Sequence, residues 1–104
     1  MINVNAICQA IINGLAASST GCRGGCGRAY VCISKSVDKQ TLNLIKKAVS
    51  QCGLIYLNKA YGVGNRAIYV GYDNADGGAL AHAEAIALNL RALGIDCYDD
   101  AQGD

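Results

Sequence analysis

Six cysteines and a single histidine are the side chains in this 104-residue chain best suited to chemistry. Cys22 and Cys26 flank Arg23-Gly24-Gly25 inside a glycine-rich run, 18–27, a spacing that serves a disulfide or half of a four-ligand zinc site. No second pair follows, and Cys8, Cys32, Cys52 and Cys97 read as buried, reduced apolar residues, so a structural loop pair is expected and no metal site. Nucleophilic catalysis needs a serine or cysteine near both a histidine and a carboxylate. His82, beside Glu84 on the outward side of a predicted helix, does not supply that arrangement. Gly21, Gly24, Gly25 and Gly27 have the composition of a phosphate cradle, but a cradle lies between a strand and a helix N-terminus. Here the predicted order is helix, loop, strand, with no Gly-Lys-Ser/Thr. Carboxylates gather at Asp73 and Asp76, explained by helix capping, and at Asp96, Asp99 and Asp100, explained by a solvated end. The expectation is a protein that is not an enzyme and uses no cofactor.

The elements that must position these residues follow from hydrophobic periodicity. Arg28 to Ser34 alternates Ala29, Val31 and Ile33 with Tyr30, Cys32 and Ser34, the period of a strand with two unlike faces. Before it, Asn3 caps a helix from Val4 to about Ala17, whose Val4, Ile7, Cys8, Ile11, Ile12 and Leu15 form a broad apolar stripe. Asp38 caps a second helix reaching Cys52, with Val37 and Leu42 set for a hydrophobic staple and Gly53 as its left-handed stop. Strands over Leu54–Asn58 and Arg66–Tyr72 form a hairpin, a third helix runs to Leu93 and ends at Gly94, and Ile95–Asp99 makes an edge strand. The expected fold is α+β: a single domain, 1–104, with an N-terminal helix in 1–18 and a ferredoxin-like βαββαβ sandwich over 28–99. Its four-stranded antiparallel sheet would carry two helices on one face. Val31, Ile33, Ile55, Leu57, Ile68, Val70, Ile95 and Cys97 are expected to point at those helices, and Tyr30, Cys32, Tyr56, Tyr69 and Tyr98 away from them. The N-terminal helix is expected to lie across the tyrosine face or against a second subunit.

Ala29-Tyr30-Val31-Cys32-Ile33 and Tyr69-Val70-Gly71-Tyr72 together resemble the two signature strands of RNA-recognition motifs. The resemblance implies Tyr30 and Tyr69 as base-stacking positions in a module that binds single-stranded nucleic acid. It departs at Ala67, where a second aromatic is expected, and at Cys32, where a glycine is expected.

Composition points elsewhere. Charged residues are 16% and hydrophobic ones 52%, so a chain this small leaves neutral surface that a partner protein or a second copy can cover. A net charge of +1 argues against strong phosphate-backbone binding, and no apolar run reaches the roughly 20 residues of a membrane helix. No lysine or arginine precedes Arg23, so the apolar N-terminus reads as part of the fold and the cytoplasm as the default location. The leading expectation is a small protein-binding module. By analogy of size and class it resembles phage-encoded inhibitors of host defence complexes, the anti-CRISPR proteins among them. The partner-binding positions would be Lys59, Tyr61, Asn65 and Arg66 of the hairpin, then Arg23 and Arg28. A homodimer is a further expectation; a small redox or metal protein using Cys22 and Cys26 ranks last.

Overall fold

Asn3 is extended (φ −140°, ψ 172°) and its Oδ1 accepts the Ala6 N–H at 2.8 Å, which starts a helix where the apolar period begins. Asp38 does the same for the second helix: its carboxylate accepts the Thr41 N–H at 3.1 Å and the Thr41 hydroxyl at 2.6 Å. In the computed structural model, which describes residues 2–16, 27–58, 66–73 and 78–103, the elements are α1 (Val4–Leu15), β1 (Gly27–Ile33), α2 (Lys39–Gln51), β2 (Ile55–Leu57), β3 (Ala67–Asp73), α3 (Gly78–Ala92) and β4 (Cys97–Gly103). This is an α+β arrangement of three helices and an antiparallel sheet of four strands in the order β2-β3-β1-β4. No described helix is long and apolar enough to cross a membrane.

The hydrogen bonds from Thr41 hold the Asp38 carboxyl below its ordinary value. A depressed folded-state value means the cap contributes fully above the unfolded-state value and is lost as pH falls through the folded one. Asp38→Asn, which caps without titrating, should leave the melting temperature near neutral pH almost unchanged and flatten its fall below about pH 4. A series of thermal melts across that range checks this.

Both α2 and α3 end in the same way. Gly53 (φ +77°) and Gly94 (φ +90°) take the left-handed conformation that a side chain disfavours. The next N–H in each case reaches back to the helix, Leu54 to the Val49 carbonyl at 3.0 Å and Ile95 to the Leu90 carbonyl at 3.1 Å. That bond turns Leu54 and Ile95 onto the core and so sets the phase of the strands that follow. From Ile95, Cys97 faces the helices and Tyr98 faces away. From Leu54, Tyr56 joins the helix-side cluster, while Leu57 belongs to the cluster on the other face. The expected facing of β2 is therefore corrected: Ile55 and Leu57 point away from the helices and Tyr56 towards them. A one-residue change of phase exchanges every side chain between faces.

The position of α1 is also corrected. It does not lie across the tyrosine face but fills the seam between α2 and α3, on the same side of the sheet as both. Cys8 on one flank approaches the Ala48 carbonyl of α2. On the opposite flank Gly14 sits against Ile86 of α3, and Asn89 donates to the Ala10 carbonyl at 3.1 Å. Between the flanks Ile7 and Ile11 are fully buried. The stripe is broad because it meets two helices at once, although Ile12, expected within it, is exposed. Below it Val31, Ile33, Ile45, Ile68, Val49 and Leu90 complete one continuous core.

Candidate protein-binding face of the sheet

With α1, α2 and α3 gathered on one side, strand register sets the order of side chains on the other. Two cross-strand rows run over it: Leu57, Ala67, Cys32 and Tyr98, then Ile55, Tyr69, Tyr30 and Asp100. A bulge beside the second row keeps Tyr30 opposite Tyr69 while Ala29 pairs with Gly71, so Val70 is the extra residue and turns to the helix side. The Tyr30 and Tyr69 rings meet at a centroid distance of 5.6 Å and an interplanar angle of 54°, a tilted aromatic contact.

Exposure rises from the centre of the sheet to its edges. Tyr30 is 2% exposed, and Cys32 and Ala67 are fully buried. Leu57 and Tyr69 are half-buried against them. At the two edges Ile55 is 56% and Tyr98 44% exposed. At the β4 edge Asp100 stands on this face, half-buried, while Asp99, opposite Val31, belongs to the helix side. Burial raises the Cys32 thiol above its ordinary value; a hydrogen bond with Tyr98 opposes this and the charges of Asp100 and Asp99 reinforce it. Cys97, on the helix side, donates to the Ala87 carbonyl at 3.5 Å and is pushed up to about 11, chiefly by burial. Both are poor nucleophiles near neutral pH.

Tyr56, turned inward, lies beneath the Lys46 ammonium, 5.3 Å from the ring centroid. Its hydroxyl is buried with no hydrogen-bond partner among the described residues, and that burial raises its titration point, opposed by the Arg66 charge. Tyr56→Phe removes a desolvated hydroxyl and keeps the ring, so stability in urea should be unchanged or higher by up to about 1 kcal/mol. A loss of similar size would contradict this account of the site.

Of the sequence-expected partner residues, Arg66 is half-buried and donates to the Ser34 carbonyl at 2.7 Å, tying the start of β3 to the end of β1. Arg28 stands in β1 opposite Tyr72 and Gln102 in the backbone register, and its side chain lies outside the described residues. Arg23, Lys59, Tyr61 and Asn65 also lie outside them, as do Cys22, Cys26 and the glycines between 21 and 25. Ile55, Leu57 and Asp100 are additions to the site. The glycine-leucine step at Gly53-Leu54 was the signal that could have placed the first two. Cys8, Cys32, Cys52 and Cys97 are free thiols, and no group of three or more His, Cys, Asp or Glu among the described residues could hold a metal ion. A shallow cleft of about 370 Å³ between α1 and α3 is lined by Gln9, Asn13 and Asn89; the Gln9 amide donates to the Asn13 Oδ1 at 2.9 Å and the Asn89 amide to the Ala10 carbonyl. Comparisons with protein-family models, with curated proteins and with solved structures found no match.

Proposed function

We propose that this protein acts by binding another protein across the sheet face that carries Ile55, Leu57, Tyr69 and Tyr98, without turnover. The supporting observation is that all three helices share the opposite side, leaving this face without a helix among the described residues and with large apolar side chains open at its edges. The occupant that fits is a protein surface with an apolar patch to set against Ile55, Leu57, Tyr69 and Tyr98. Base stacking by Tyr30 and Tyr69 is the competing reading. The 2% exposure of Tyr30 weighs against it, since a stacking platform needs a free ring.

We also infer a ferredoxin-like βαββαβ unit preceded by α1: read from the other edge the order is β4-β1-β3-β2, with α2 and α3 in the connections between strands. A cytoplasmic inhibitor of a larger complex, of the anti-CRISPR kind, suits a module of this size, on the ground of class alone. The test immobilises the protein and the double variant Ile55→Lys/Tyr98→Lys side by side. A protein retained by the first and lost from the second supports the proposal; identical retention by both contradicts it. In parallel, tight binding of single-stranded RNA or DNA at low salt would favour the stacking reading, and a concentration-dependent dimer abolished by the double variant would make a second copy the occupant.

A further inference from the structure

Cys8 and Cys52 stand across the α1–α2 contact from one another. The Cys8 sulfur lies 3.8 Å from the Ala48 carbonyl oxygen and 3.4 Å from Oε1 of Gln51, and the Cys52 sulfur lies 3.8 Å from the carbonyl oxygen of Cys8 itself. Each thiol is free and half-buried, in contact with the other yet reachable by a small reagent. Cys32 and Cys97, by contrast, are buried on opposite faces of the sheet.

We propose that Cys8 and Cys52 are a redox pair that closes to a disulfide in the presence of a low-molecular-weight disulfide such as oxidised glutathione, clamping α1 to α2. In the first step one protein thiolate attacks a glutathione sulfur, forming a mixed disulfide and releasing one glutathione thiolate. In the second, the other protein thiolate attacks the sulfur of its modified partner and releases the second glutathione. Two protein thiols are oxidised by two electrons, one glutathione disulfide is reduced to two thiols, and the two thiol protons pass to solvent or to the departing glutathione. The bridge would join the N-terminal helix to the C-terminal end of α2 and close a long loop of chain, which restricts the unfolded state.

The experiment uses the full chain with Cys22→Ser and Cys26→Ser, so that those two thiols cannot contribute. It is equilibrated with mixtures of reduced and oxidised glutathione, then alkylated and weighed. The expected product carries two fewer alkyl groups than the reduced chain treated in the same way, blocks alkylation at Cys8 and Cys52 in a proteolytic map, and melts roughly 5 °C or more higher. Cys8→Ser and Cys52→Ser should each abolish the block to alkylation and the shift while keeping the far-ultraviolet circular dichroism spectrum. Whichever sulfur attacks first, both must act once as thiolates. Burial, then the hydrogen bond and charge of Cys8, pushes the Cys52 thiol up to about 11, and Cys8 is the titratable group acting on it among the described residues. Closure should therefore quicken about tenfold per pH unit between about pH 7 and 9. A mixed glutathione adduct that never closes, or a bridge that maps to Cys32 or Cys97, would overturn the proposal, and so would thiols that stay alkylatable under oxidation.

Discussion

Gly14→Val should lower the stability of the fold by roughly 3 kcal/mol. A side chain at this position grows into α3: a Cβ on Gly14 would lie 2.8 Å from the Ile86 amide nitrogen and 2.9 Å from its Cα, and would also strike the Ile86 Cγ1. The first two of those atoms are backbone, so no rotamer change at Ile86 relieves the overlap. The helices themselves must separate, opening the buried seam that Ile7 and Ile11 fill. Gly14→Ala should cost less, because alanine recovers about 1 kcal/mol of helix propensity. Equilibrium unfolding in urea measures both. Trimming the neighbour to Cβ, as Ile86→Ala, should leave the cost of Gly14→Val largely unchanged when it is measured against the Ile86→Ala background; recovery of more than half the loss would show that the obstruction is the side chain and that α1 can ride up without penalty.

The double variant Ile55→Lys/Tyr98→Lys should weaken binding to a captured partner by about 2 kcal/mol or more, about thirtyfold in Kd. Both side chains sit at open edges of the face, so their replacement leaves the buried centre of Tyr30, Cys32 and Ala67 in place. Stability should then change by no more than about 1 kcal/mol, including the loss of the hydrogen bond between Tyr98 and Cys32. Substitutions on the exposed side of α2, such as Lys39→Ala and Lys47→Ala, serve as controls that should leave affinity unaltered. Titration calorimetry on wild type, double variant and controls separates a local surface from a diffuse electrostatic effect.

The helices, strands and antiparallel sheet were largely legible in the sequence because their signals are local. Asn3 and Asp38 cap where short polar side chains precede an apolar period, and Gly53 and Gly94 stop helices where only a left-handed residue fits. The division of β1 into Ala29, Val31 and Ile33 against Tyr30 and Cys32 also held, since strict alternation leaves one free choice and hydrophobicity makes it. In β2 that choice was invisible from composition, because Ile55, Tyr56 and Leu57 are all apolar enough for either face. The phase came instead from the backbone bond between Leu54 and Val49, and applying the same reasoning at Gly53 that works at Gly94 would have found it. The placement of α1 was hidden for a different reason. Its stripe specifies how much surface it must bury, and both the seam between α2 and α3 and the tyrosine face could have supplied that surface. Gly14 is the residue that distinguishes them, through a close approach to Ile86 that only a three-dimensional neighbour reveals.

Hydroxyl-radical footprinting of the protein with and without its captured partner tests the proposed docking face most directly. Side chains on the sheet face, above all Ile55, Leu57, Tyr69 and Tyr98, should lose reactivity in the complex, while Ile12 and Leu88, exposed on α1 and α3, should keep theirs. Protection confined to Ile12, Leu88 and the lysines of α2, with Ile55 and Tyr98 as reactive as in the free protein, would place the partner on the helices and contradict the assignment of the sheet face.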